Sequence, residues 1–271
     1  MRVVPRAAVL GQPVGHSLSP VLHRAALAAL GLADWRYDAI ECDADRLPAF
    51  LAGLDPGWVG LSLTMPLKRA ALEVASSASD LARSVGAANT LLPSLNGWHA
   101  ENTDVVGICA ALADAGVGSV SEAVVLGAGG TAQAALAALA QLGCSRPRVL
   151  VRDPARAVEL MAAAGRLGVS PVLGPWPARG GTCEVVISMV PAGAADALAL
   201  GPWPAGGVLL DVVYVPWPTP LAVAAAAAGV QVVGGLPVLP HQARAQVQLF
   251  TGRPAPRDAM RAALAAAVPG H

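Results

Sequence analysis

Apolar residues along this chain gather into short β-branched or leucine-rich runs, and between the runs they recur at helical spacing. Ala7-Ala8-Val9-Leu10 predicts a first strand, followed by a loop through Pro20 and an amphipathic helix to about Leu30. Ser19 reads as that helix's N-cap, with Pro20 in its first turn. Trp35 to Ile40 and Trp58 to Leu63 predict two more strands, with helices over Asp45 to Leu54 and Leu67 to Ala75. Strands alternating with helices imply parallel βαβ units. Asp80 to Val85 reads as a short helix, Ala88 to Leu92 with Gly97 to His99 as a strand pair, and Val105 to Ala115 as a helix.

A second alternation follows, with strands expected at Val124 to Leu126, Arg148 to Val151, Val185 to Ser188, Val208 to Val213 and Gln231 to Gly234. Helices are expected between most of them, and two more close the chain, Leu239 to Phe250 and Arg257 to Val268. The expected class is therefore α/β, in two domains. The C-terminal helices would return to the first domain. The expected divisions give residues 1–107 plus 237–271 to the first domain and residues 108–236 to the second.

The glycine loop fixes the reading of the second domain. The run Val124-Val125-Leu126 breaks into Gly127-Ala128-Gly129-Gly130-Thr131-Ala132 and then into helix formers, the G-x-G-x-x-G/A spacing of a dinucleotide site. Gly127 suits a sharp turn, Gly129 has no Cβ to hold a phosphate off the backbone, and Ala132 lets the helix pack close to the strand. The first N–H groups of that helix face an anion. A glycine-rich turn without a ligand is the plainer alternative. The next strand ends in Arg152-Asp153-Pro154-Ala155-Arg156, where an acidic residue serves NAD and an arginine the 2′-phosphate of NADP. Arg152 and Arg156 point to NADP, Asp153 dissents, and a solvated helix face is the bland option.

Composition narrows the partners. Lys plus Arg and Asp plus Glu balance at 18 each, so no one-sign field is available to hold nucleic acid or an anionic membrane. Cys42, Cys109, Cys144 and Cys183 are widely spaced with no C-x-x-C pair, so reduced thiols and no metal site are expected. The first apolar run is broken by Gly11-Gln12-Pro13, too early for a signal-peptide core, and Leu221 to Gly229 is shorter than the roughly 20 residues that span a bilayer. A cytoplasmic protein is the expectation.

A Rossmann-like dinucleotide domain implies hydride transfer, and the N-terminal α/β domain is then expected to be the substrate domain that supplies substrate contacts and a proton donor. Ser17 and Ser19 before a helix suit a carboxylate, or Ser19 simply caps the helix. Lys68 follows a strand and a proline, where its ammonium is a suitable acid for a forming alkoxide, unless it is only solvated. Asn89-Thr90 and Asn102-Thr103-Asp104 offer groups for substrate hydroxyls, or close Asx turns. His16, His23, His99 and His241 lack ligand spacing and are given no catalytic role.

Together these residues resemble the shikimate dehydrogenase family over nearly the whole chain. The carrying motifs are Gly11 to Pro20, Leu63-Thr64-Met65-Pro66-Leu67-Lys68, Gly86 to Leu91, Asn102-Thr103-Asp104, Gly127 to Gly130, Asp211 to Tyr214 with Pro216 and Thr219 to Leu221, and Gly235-Leu236 with Gln242. The resemblance implies reversible reduction of 3-dehydroshikimate to shikimate with NADPH, in aromatic amino-acid synthesis. It implies Lys68 and Asp104 as the catalytic pair, Ser17 and Ser19 on the substrate carboxylate, and Thr64, Asn89, Asp104 and Gln242 on its hydroxyls, with Tyr214 nearby. Gly127, Ala128, Gly129 and Gly130 would take the pyrophosphate, Arg152 and Arg156 the 2′-phosphate, and Gly235 would lie by the nicotinamide. Both monomers and homodimers occur in such a family.

Val151-Arg152-Asp153 departs from the family's common Asn-Arg-Thr/Ser, and Val238 replaces a frequent Met. Asp153 must then point away or pair with an arginine, or NADP preference is weakened. A quinate or quinate/shikimate dehydrogenase, NAD-linked in some members, is the alternative enzyme. A non-catalytic dinucleotide-binding paralogue is the alternative outside enzymes.

Overall fold

The structure of the chain, a computed structural model, describes residues 4–176, 183–196, 198 and 206–268. It divides into two compact units, one running to Thr103 and resuming at Leu239, the other Asp104–Val238.

The first unit is built from β1 (Arg6–Gly11), α1 (Ser19–Ala29), β2 (Arg36–Glu41), α2 (Leu47–Ala52), β3 (Trp58–Leu63), α3 (Leu67–Val74), β4 (Ser77–Ala78), α4 (Asp80–Val85), β5 (Thr90–Ser94) and β6 (Gly97–Glu101). Its sheet runs β2-β1-β3-β5-β6-β4, with β1 parallel to β2 and β3, and β5 antiparallel to β3 and β6. Period-2 alternation buries both faces of β1. Ala8 and Leu10 join Leu61, Leu63, Leu67 and Leu91, whereas Ala7 and Val9 join Leu27, Tyr37 and Phe250.

The second unit carries α5 (Asp104–Asp114), β7 (Ala123–Leu126), α6 (Gly130–Gln141), β8 (Arg148–Val151), α7 (Val158–Leu167), β9 (Val172–Pro175), β10 (Val185–Ser188), β11 (Val208–Asp211), α8 (Pro220–Ala227) and β12 (Gln231–Val233). The sheet is parallel, in the order β12-β11-β10-β7-β8-β9. Read from the β9 edge and numbered within the unit, this is the doubly wound order 3-2-1-4-5-6, which reverses between β7 and β10. Ala132, Ala134, Ala135, Ala137 and Ala138 are all buried in α6, and their small side chains let the helix lie close to its neighbours.

α9 (Val238–Thr251) and α10 (Arg257–Ala267) return to the first unit, as expected from the sequence. The Phe250 ring of α9 occupies the space above Gly60 in β3 that a Cβ there would need, and α10 packs on α1.

Three local expectations are corrected. Leu18, with helical backbone angles, takes the cap position of α1, and no side chain caps that helix, so Ser19 is its first residue. β11 ends at Asp211 because the Asp211 carboxylate takes up Val213 N–H at 3.3 Å and the Thr219 hydroxyl at 2.7 Å, drawing the chain out of the sheet. β4 and β9 are strands that the sequence pattern does not mark: β4 is two residues long, and β9 ends in Gly174-Pro175, a pair that reads as a turn.

Candidate active site

The C-terminal ends of β1 and β3 hold two loops together. Thr64 N–H donates to Leu10 O at 2.9 Å and Gln12 N–H to Met65 O at 2.9 Å. A Cβ on Gly11 would overlap the Thr64 methyl, so a glycine here lets Thr64 sit against the first loop. Within that loop, Glu41 Oε1 accepts from Val14 N–H at 2.9 Å, and Ser17 N–H donates to Val14 O at 2.9 Å. Ser17 and Ser19 are half-buried, and Ser17 Oγ accepts weakly from Ser19 N–H at 3.3 Å. The missing cap leaves the positive end of α1 beside both hydroxyls, an arrangement that favours an anion.

Lys68, half-buried, is the second residue of α3, and its carbonyl accepts from Ala88 N–H at 2.7 Å. That bond ties the first turn of the helix to the segment leading into Asn89. Asn89 is buried and hydrogen-bonded at both ends of its amide. Its Oδ1 accepts from Thr103 N–H at 2.8 Å and from the Thr90 hydroxyl at 2.9 Å, while Nδ2 donates to Thr103 Oγ1 at 2.9 Å and to Gln242 Oε1 at 3.2 Å. Gln242, half-buried on α9, thus meets a residue of the N-terminal sheet 153 positions away. Ser17, Ser19, Thr64, Lys68, Asn89 and Gln242 all belong to the first unit, and Asp104, buried, is the opening residue of α5 in the second.

Sequence reading missed Gln246, Ser62 and Tyr37. Gln246 Nε2 donates to Asn89 O at 3.0 Å and to Thr90 Oγ1 at 2.9 Å, and its Oε1 accepts from Ser62 Oγ at 2.9 Å. Tyr37 donates in turn to Ser62 Oγ at 2.7 Å. Burial pushes the Tyr37 phenol well above its usual range, partly offset by the neighbouring Ser62 and Ser19 hydroxyls. The available signal was the Gln242 to Gln246 spacing, which sets two amides on one helical face.

In the second unit the glycine loop fits a dinucleotide. Gly127 has φ +102°, a left-handed conformation suited to glycine, and its Cα lies beside Met189 O and Val190. Gly129 caps α6 with no side-chain hydrogen bond, and nothing lies within 4 Å of where its Cβ would be. Open space therefore faces the unpaired N–H groups at the start of α6, as a pyrophosphate requires. At the end of β10, beside β7 where the strand order reverses, the buried Ser188 Oγ has no hydrogen-bond partner among the described residues. Ala128 and Gly130 lie in this loop. Arg152 is exposed after β8, and the side chain of Arg156 lies outside the described part of the chain.

Asp153 Oδ1 accepts from Ala155 N–H at 3.0 Å and caps the 3-10 turn Pro154–Ala157. That carboxylate oxygen is held in a local cap. Tyr214 is half-buried, and burial pushes its phenol up. Gly235 N–H donates to Val213 O at 3.2 Å, and a side chain on Gly235 would overlap the Val212 carbonyl. Among the described residues no His, Cys, Asp and Glu cluster is placed to hold a metal ion, and no helix is long and apolar enough to cross a membrane.

Comparison with known proteins finds relatives of the same architecture. Residues 9–91 match the shikimate dehydrogenase substrate binding domain and residues 235–265 the shikimate 5'-dehydrogenase C-terminal domain. A shikimate dehydrogenase (NADP(+)) of Anaeromyxobacter sp. (strain Fw109-5) is 38% identical over 268 residues, 95% of each chain. The crystal structure of Mycobacterium tuberculosis shikimate dehydrogenase matches with TM-score 0.85 and 45% identity over 97% of this chain and 99% of that one. Shikimate 5-dehydrogenase of Thermus thermophilus, in complex with NADP(H) and shikimate, matches with TM-score 0.83 and 34% identity over 97% and 100%.

Proposed function

The chain belongs to the shikimate dehydrogenase family, and from that premise we propose how its own residues carry the NADP-dependent interconversion of 3-dehydroshikimate and shikimate. It is an oxidoreductase of aromatic amino-acid and chorismate biosynthesis. NADPH, when bound, supplies the hydride.

Ser17 and Ser19 hold the substrate carboxylate at the uncapped start of α1. Thr64, Asn89, Asp104 and Gln242 take its ring hydroxyls, with Tyr214 nearby. Lys68 donates a proton to the carbonyl oxygen as that oxygen gains charge, and Asp104, the second member of the catalytic pair, orients the ammonium. In the reverse direction Lys68 receives the same proton. Gly127, Ala128, Gly129 and Gly130 receive the pyrophosphate, Arg152 and Arg156 the 2′-phosphate, and Gly235 keeps the backbone close beside the nicotinamide. This gives the first unit the substrate-binding role and the second the NADP-binding role.

The observation that carries the site assignment is the 3.2 Å bond from Asn89 Nδ2 to Gln242 Oε1, which joins two of the motif residues across 153 positions of sequence. Cys42, Cys109, Cys144 and Cys183 are all free thiols, which supports a reducing cytoplasmic setting.

The test is steady-state oxidation of shikimate and of quinate, each with NADP and with NAD. Shikimate with NADP has the largest kcat/KM of the four pairings in this reading; dominance of quinate or NAD overturns it.

A further inference from the structure

Gln246 lies on α9 one turn beyond Gln242, is buried, and through a single amide touches Ser62 of β3, Thr90 of β5 and Asn89 just before β5. Main-chain chemistry fixes how that amide sits. Asn89 O is a carbonyl and only accepts, so the Gln246 atom facing it at 3.0 Å is the nitrogen. The same nitrogen donates to Thr90 Oγ1 at 2.9 Å, so the Thr90 hydroxyl proton goes elsewhere, to Asn89 Oδ1 at 2.9 Å. Thr103 N–H, which only donates, meets the same Oδ1 at 2.8 Å and agrees with that direction. Asn89 Nδ2 is therefore the atom turned to Gln242, and Gln242 Oε1 is the atom that receives it at 3.2 Å. On the other side, Gln246 Oε1 accepts from Ser62, which accepts from Tyr37. All the bonds run one way, Tyr37 to Ser62 to Gln246 to Thr90 to Asn89 to Gln242, and such chains polarise one another.

We propose that Gln246 is a positioning residue for substrate recognition: it sets α9 against Asn89 and, through Thr90, fixes the Asn89 amide, which holds Gln242 Oε1 and so leaves the Gln242 N–H groups for a substrate hydroxyl. The proposal rests on the reading that Asn89 and Gln242 bind substrate. Gln246 acts through these amides rather than by touching the substrate. Its effect belongs in substrate affinity, since neither the proton donor nor the cofactor loop is attached to it.

Four single variants and one double variant test this, each compared with wild type for KM of shikimate, KM of NADP and kcat. Gln246→Met keeps the length and removes every hydrogen bond. Thr90→Val keeps the shape and removes the hydroxyl that links Gln246 to Asn89, and Thr90→Ser returns it. Asn89→Ala reports on the site assignment itself. Gln246→Met and Thr90→Val each raise KM for shikimate roughly tenfold, the scale of one buried hydrogen bond, with KM for NADP unchanged and kcat within a few-fold. Thr90→Ser restores KM, and the Gln246→Met/Thr90→Val double variant is no worse than the worse single one. If Gln246→Met does not fold, the Thr90 pair decides. Unchanged shikimate KM in the Gln246 and Thr90 variants, or shikimate and NADP KM rising together, overturns the inference. If Asn89→Ala raises shikimate KM while those variants do not, only this inference falls; if Asn89→Ala also leaves it unchanged, the site assignment falls too.

Discussion

His23 stacks face to face on Tyr37, with ring centroids 4.0 Å apart and planes 13° from parallel. Its Nδ1 meets Ser19 O at 2.9 Å, and Nε2 is buried without a partner among the described residues. An imidazolium there would be a buried charge with one hydrogen bond, so burial pushes the His23 pKa down to about 4 from 6.5.

That shift makes stability depend on pH. Between pH 6.5 and about 4 the unfolded chain binds a proton at His23 that the folded chain refuses. Stability therefore rises with pH through this window and is lost as pH falls, by up to about 3 kcal/mol from this group. His23→Phe keeps the stack and removes the titration. Urea unfolding at pH 4.5 and 7 should show a smaller loss in the variant than in wild type, and equal losses would remove His23 as the cause.

Lys68→Ala should lower kcat by roughly 10²-fold or more, the scale of general acid catalysis, with shikimate KM changed only a few-fold. The first turn of α3 is tied down through the Lys68 carbonyl, which the substitution keeps, so the fold is preserved. A kcat near that of wild type would exclude Lys68 as the proton donor.

At the cofactor end, Arg152→Ala should raise KM for NADP roughly tenfold or more, as loss of a charge-assisted bond to a phosphate does, and leave KM for NAD little changed. Asp153→Asn keeps the oxygen that caps Ala155 N–H and removes the charge. Because that oxygen is committed to the turn, neither cofactor's KM should move more than a few-fold. A marked gain in NADP preference on Asp153→Asn would mean that the carboxylate faces the phosphate after all.

What is legible in the sequence follows from how local each signal is. The alternation of Ala7 to Leu10 and the glycine loop after Leu126 are written in neighbouring residues, so the strands and the doubly wound unit can be read directly. Lys68, Asn89 and Gln242 stand out because their motifs are contiguous. Gln246 carries no such mark: it bonds to Asn89 and Thr90, 157 and 156 positions away, and only the return of α9 creates those contacts. The cap of α1 escapes the sequence because Ser19 precedes Pro20 there, whereas the backbone is already helical at Leu18. Asp153 has two orientations open to it in the sequence, and the turn over Pro154–Ala157 supplies its partner.

Two glycines separate packing from binding. Gly235 is held by space rather than by backbone angle: its Cα lies against the Val212 carbonyl, and an added methyl would also come within 3.3 Å of the Tyr214 ring. Gly235→Ala must push the bend after β12 away from the segment after β11, and overpacking of this kind costs about 1–3 kcal/mol, or several degrees of Tm in a chain of this size. Gly129 is the opposite case, since an added methyl meets nothing within 4 Å. Gly129→Ala should leave Tm close to wild type and act on the ligand, raising KM for NADP because the methyl fills space that the pyrophosphate needs. Thermal melts beside cofactor titrations of the two variants separate the effects. A Gly129→Ala enzyme with unchanged NADP affinity would mean that the phosphates do not lie against this loop, and an undisturbed melt for Gly235→Ala would mean that the segment after β11 yields more easily than its contacts imply.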